Sequence, residues 1–87
     1  MYFVYIIESA QSGIFYKGST GDYTRRLNGH NDGKSQYTKG KGPWKLVFVQ
    51  AFDNKTDALI MEKKLKRCNK EYLQWLIHQP VNILNMQ

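Results

Sequence analysis

The stretch YFVYIIE at positions 2–8 is apolar at odd and even positions alike, and this limits the possible folds more than any other feature of the chain. A strand sends successive side chains to opposite faces, so a run that is apolar on both faces must be covered on both sides. Both faces of this strand are therefore expected to be covered. Alternation puts Phe3, Tyr5 and Ile7 on one face and Val4 and Ile6 on the other. After SAQS, the segment GIFYKGS at 13–19 repeats the same character, which reads as a β-hairpin with a loop of several residues. In its second strand Ile14, Tyr16 and Gly18 share a face, opposite Phe15 and Lys17. Tyr5 and Tyr16 stand near the same point of the two runs with ten residues between them. Aromatic residues favour strands, so packing by itself accounts for such a pair.

Beyond the hairpin the pattern changes to helical spacing. Asp22 is placed to cap a helix through YTRRLNGHN, with Tyr23 and Leu27 one turn apart on its inward stripe and Arg26 and His30 one turn apart beside it. Glycines at 29 and 33 predict an end near residue 32. From 33 to 45 the chain reads GKSQYTKGKGPWK, which has no period and is expected to be a loop. LVFVQAF at 46–52 follows as a third strand, expected to be central because it is apolar on both faces. Apolar residues at 58, 61, 65 and 68 predict an amphipathic helix. A last helix over about 70–78 carries Tyr72, Leu73, Trp75, Leu76 and Ile77, and Pro80 stops it. The order β-β-α-β-α-α defines an α+β fold with a small, three-stranded, mainly antiparallel sheet flanked by helices. Nothing divides the 87 residues, so one domain over 1–87 is expected.

Thirteen Lys and Arg against seven Asp and Glu leave a net charge of +6, which draws polyanions, nucleic acid before anionic membrane. Cys68 is the single cysteine and stands far in sequence from His30 and His78, so zinc-ligand spacing is absent and a reduced, cytoplasmic setting is expected. The N-terminal apolar run is too short for a membrane span and has no signal-peptide pattern.

Three places can carry chemistry. Glu62 falls at the border of the buried stripe of its helix, where it either pairs with Lys66 one turn on or meets a cation of functional consequence. Arg25 and Arg26 with His30 are either a solvated helix face or a phosphate grip beside a proton carrier. The loop interleaves Lys34, Lys39, Lys41 and Lys45 with Tyr37 and Trp44, a pattern suited to phosphate contacts and base stacking, although Trp44 can equally pack as core.

Taken together, Tyr5, Tyr16, Gly18, Arg26, His30 and Glu62 resemble the GIY-YIG nuclease superfamily, in particular its small single-domain bacterial branch of UPF0213-like proteins. The two short motifs stand here as Phe3-Val4-Tyr5 and Tyr16-Lys17-Gly18. Arg26 follows the second tyrosine by ten residues, His30 lies four further on, and Glu62 occupies a later helix. The likeness runs from Tyr2 to about Trp75. It departs from the family in Phe3-Val4, which replaces Gly-Ile, and in Lys17, which replaces an apolar residue. Asn82 in QPVNIL matches a C-terminal asparagine of the family less clearly.

This resemblance implies an endonuclease that hydrolyses phosphodiester bonds in DNA, structure-dependent or weakly sequence-specific, using Mg²⁺ or Mn²⁺. In that reading Tyr5, Tyr16, Arg26, His30 and Glu62 are catalytic and Glu62 holds the metal. Lys17, Gly18, Arg25, Lys34, Lys39, Lys41 and Lys45 meet the nucleic acid, Gly18 by leaving room for a phosphate. DNA is the expected partner with RNA as a second candidate, no membrane is involved, and the chain is a monomer or weak homodimer. One alternative is a non-catalytic nucleic-acid-binding module using the basic aromatic loop 34–45. Another is a protein-interaction domain built on Trp75 and its apolar neighbours.

Overall fold

The structure is a computed structural model and describes residues 1–85. Strand β1 (Tyr2–Ser9) is followed by β2 (Phe15–Thr20), α1 (Tyr23–Asn31), β3 (Trp44–Phe52), α2 (Lys55–Leu65) and α3 (Lys70–Ile77), with a 3₁₀ turn at Ile83–Asn85. The three strands form one antiparallel sheet in the order β2-β1-β3. The α+β architecture and the element order are those expected from the sequence.

The two faces of β1 build two cores. Val4 and Ile6 pack with Phe48, Ala58, Leu65, Leu73 and Leu76 under α2 and α3. On the other face Tyr5 and Ile7 pack with Trp44 and Val49, and Phe3, Tyr16, Tyr23 and Leu27 close this second cluster on the side of α1. The requirement that both faces be covered is met by helices on opposite sides of the sheet.

Local chemistry fixes the helix starts. Asp22 accepts a hydrogen bond from the Arg25 amide at 3.1 Å, Asn54 from Asp57 at 2.9 Å and Asn69 from Tyr72 at 2.8 Å, each satisfying an amide that has no partner within its helix. After α1 the chain turns at Gly33, whose φ of +76° favours a residue without a side chain.

Three expectations are corrected. The third strand is not central: β1 is, and β3 lies at the edge. A run apolar on both faces reports helices above and below the strand, which is true of β1 and β3 alike, and says nothing about neighbours in the plane of the sheet. The third strand also begins earlier, at Trp44, because Asn31 holds the Trp44 amide and carbonyl with its side chain. In the hairpin, Ile14 does not share the Tyr16 face, since β2 begins at Phe15 and Ile14 is exposed in the loop. Trp44 is buried, with its indole N–H donated to the Thr38 carbonyl at 3.1 Å, so it belongs to the core.

Asn82 is also structural. Its Oδ1 accepts from the amides of Val49 and Leu84, and its Nδ2 donates to the carbonyls of Val47 and Ile77. It thereby satisfies backbone groups along the outer edge of β3 and ties the C-terminal turn to that strand.

Candidate active site

The hairpin register sets the geometry. Tyr5 pairs with Gly18 and Ile7 with Tyr16, so both phenols lie on the α1 face of the sheet. A Cβ at Gly18 would stand 2.5 Å from the Tyr5 hydroxyl oxygen, so the space left by the missing side chain is filled by the Tyr5 ring. That space is therefore closed to the phosphate expected there.

Helix α1 presents His30 to this face. Tyr5 is 1% and His30 2% exposed, and the Tyr5 hydroxyl meets His30 Nε2 at 2.9 Å. The Tyr16 ring lies against the imidazole with centroids 5.0 Å apart. The other imidazole nitrogen, Nδ1, meets the hydroxyl of Thr38 at 2.8 Å, and Thr38 is itself buried in the loop between α1 and β3.

One turn before His30, Arg26 is solvent-exposed and borders the same tyrosine. Burial pushes the Tyr5 phenol above the ordinary tyrosine value. The N–H groups and charge of Arg26 oppose that shift, while Tyr16 and Glu62 reinforce it. His30 is held below the ordinary histidine value by burial and by the Arg26 charge, so the imidazole is neutral at neutral pH.

Glu62 arrives from the opposite side of the sheet. On α2 it accepts a hydrogen bond from Ser19, which lies on the other face of β2 from Tyr16 and Gly18, and pairs with Lys66 at 2.9 Å. The carboxylate raises the Lys66 ammonium above the ordinary lysine value, chiefly through that hydrogen bond. The pairing with Lys66 expected from the sequence is present. The charge of Glu62 adds the smallest of the effects that raise the Tyr5 phenol, opposite in direction to that of Arg26.

The remaining basic residues spread outward. Arg25, Arg26 and Lys34 line an open groove of roughly 540 Å³ together with Thr20, Asn28 and Asp32. Lys39 and Lys41 are exposed on the loop, where Tyr37 is 76% exposed. Lys45 is exposed on β3, and Lys17 lies on the α2 face of β2, away from the tyrosines. Two residues of the cluster, Thr38 and Ser19, give no signal in the sequence. Thr38 carries no periodicity inside a loop of lysines and glycines, and Ser19 is one more small residue at a strand end.

Among the described residues no group of three or more His, Cys, Asp or Glu side chains stands together as a ready-made metal site. A single carboxylate still fits a hard divalent ion that keeps most of its waters. Each carboxylate offers about four lone-pair positions, of which Ser19 and Lys66 use two. No described helix is long and apolar enough to cross a membrane.

Residues 1–74 match the family described as the GIY-YIG catalytic domain, and the chain belongs to that family, whose members act on nucleic acids and generally depend on divalent metals. Among its relatives, a UPF0213 protein of Aeromonas hydrophila is 40% identical over 80 residues, covering 91% of this chain and 58% of that protein. UPF0213 protein BH0048 of Halalkalibacterium halodurans is 36% identical over 77 residues, covering 87% of this chain and 81% of that one. The solution NMR structure of the UPF0213 protein BH0048 from Bacillus halodurans superposes with a TM-score of 0.58 at 35% identity, over 93% of this chain and 87% of that one. The chain thus spans little more than half the length of the Aeromonas relative and most of the BH0048 protein.

Proposed function

We propose that this chain is a metal-dependent endonuclease that hydrolyses phosphodiester bonds in DNA, selecting its substrate by shape more than by sequence. The observation that carries this reading is the buried Tyr5, hydrogen-bonded to His30 and packed with Tyr16 against that imidazole one helical turn from the exposed Arg26. Cleavage of a phosphodiester needs a deprotonated attacking water, positive charge on the nonbridging oxygens and protonation of the leaving oxygen.

The residues divide the first two of these tasks, and the leaving oxygen takes its proton from bulk water. Arg26 has an exposed guanidinium suited to two parallel hydrogen bonds to phosphate, and the same group favours a transient Tyr5 phenolate. Tyr5 takes the proton of the attacking water in that state, and His30 Nε2 holds the phenolic proton while it does so. Tyr16 packs against the imidazole and holds it in place. Glu62 would hold Mg²⁺ or Mn²⁺, which when bound supplies charge neutralisation to the phosphate. With Arg25 and Lys34, the groove beside α1 gives the DNA backbone a cationic wall.

The test is cleavage of end-labelled duplex, single-stranded, flap and four-way-junction DNA by the chain and by Glu62→Gln, with Mg²⁺, Mn²⁺ or chelator. Metal-dependent cutting by the parent alone is expected. Equal cutting by both proteins, or none by either, overturns the proposal.

A second reading has its own support in the exposed Tyr37 amid Lys34, Lys39 and Lys41. In it the loop binds nucleic acid without turnover, and binding by both proteins with no cutting is the outcome that selects it.

A further inference from the structure

The loop between α1 and β3 reaches the tyrosine–histidine pair through one buried side chain, and the directions of its hydrogen bonds can be worked out. Tyr5 is a phenol at neutral pH and carries a proton. Among the described residues its hydroxyl is hydrogen-bonded to His30 Nε2, while Arg26, beside it, has only N–H donors to offer. The phenolic proton therefore points at Nε2, which must be bare. In a neutral imidazole the proton then sits on Nδ1, whose partner is the Thr38 hydroxyl at 2.8 Å. The hydrogen bonds run one way, from Tyr5 to His30 and from His30 to Thr38.

We propose that Thr38 is a positioning residue, whose hydroxyl accepts from His30 Nδ1–H and so keeps Nε2 free to take the Tyr5 proton. The proposal rests on the nuclease reading only for its catalytic consequence. Thr38 is held firmly enough to do this. It is 1% exposed, its carbonyl accepts the Trp44 indole N–H, and the loop around it is pinned where Ser9 donates to the Lys41 carbonyl at 2.6 Å and the Ala10 amide to that of Pro43 at 2.9 Å. His30 and Thr38 also border an open cavity of roughly 330 Å³ with Gln11, Asn31 and Gly40. A tautomer set from this side can be altered without touching the groove that takes the phosphate.

The experiment reads the imidazole directly. The full chain and its Thr38→Ser and Thr38→Val variants are labelled with ¹⁵N in the histidine rings, and long-range ¹H–¹⁵N spectra at neutral pH report which nitrogen of His30 is protonated. Protonated Nδ1 is expected in the parent and in Thr38→Ser, and loss of that state in Thr38→Val, which fills the same space but cannot accept a hydrogen bond. With DNA as substrate, Thr38→Val should lower kcat by about 10- to 100-fold with little change in KM, the range typical when the group fixing a functional imidazole is removed, and Thr38→Ser should restore most of it. A parent with protonated Nε2, or a Thr38→Val protein that keeps the parent's tautomer, overturns the proposal. Should Thr38→Val fail to fold, the parent and Thr38→Ser spectra still decide it, because protonated Nε2 in either contradicts the assignment. Protonated Nδ1 in a parent that cuts nothing supports the role of Thr38 and counts against the nuclease reading alone.

Discussion

At position 18 one methyl group is too much. An added Cβ would press on the hydroxyl and ring of a tyrosine that is 1% exposed. Gly18→Ala is expected to cost about 1–3 kcal/mol, read from the denaturant midpoint, and to displace the Tyr5–His30 hydrogen bond. The neighbouring imidazole makes stability depend on pH in a definite direction. Because folded His30 binds a proton less readily than the unfolded chain, stability is fully present above about pH 6.5 and is lost as the pH falls below it, by up to about 1.4 kcal/mol per pH unit. Denaturant titrations at pH 7 and pH 5 should show a steeper loss in the parent than in His30→Gln. Tyr5, Tyr16, Arg26 and His30 were legible because a hairpin register and one helical turn bring them to one face. Thr38 was not, since a loop without period gives no clue to which of its side chains turns inward.

Among the elements, the start of α1 was legible because Asp22 marks it by a local hydrogen bond, whereas α2 ends at Leu65 and leaves Cys68, counted in its apolar stripe, beyond the helix. The position of β3 in the sheet was not legible, because apolarity on both faces is shared by central and edge strands that lie between helices. What allows β3 to stand at the edge is Asn82, which bonds both an amide and a carbonyl of that strand. Asn82→Ala leaves the buried Val49 amide without this acceptor and is expected to destabilise the fold by about 3 kcal/mol or more, measurable by chemical denaturation. Aspartate at this position keeps the acceptor but loses the donor, so it should fall between the two. Helix α3 leaves Trp75 55% exposed beside Tyr72 while Leu73 and Leu76 are buried.

At the scale of the whole molecule, charge and cleft are separable. The net charge of +6 sits largely on side chains directed into solvent, with Lys34, Lys39 and Lys41 on the loop and Arg25 and Arg26 along the groove. A lysine that neutralises one phosphate contributes about 0.9 to the slope of log affinity against log salt on duplex DNA, so replacing Lys39 and Lys41 together by alanine should flatten it by up to about two units. An unchanged slope would remove the loop from the binding surface without affecting the cluster around Tyr5. Around Tyr5, His30 and Arg26 come from α1 on one face of the sheet, while Glu62 stands on α2 on the other, and this is where the chemistry is proposed to occur. The most direct measurement is single-turnover cleavage of labelled DNA in Mg²⁺ by the chain and by Tyr5→Phe, which keeps the ring and its packing and removes only the hydroxyl. A rate lower by about 10²- to 10⁴-fold, with DNA binding retained, is the expected result for a protein without its proton acceptor. Equal rates in the two proteins would contradict the proposed role of Tyr5.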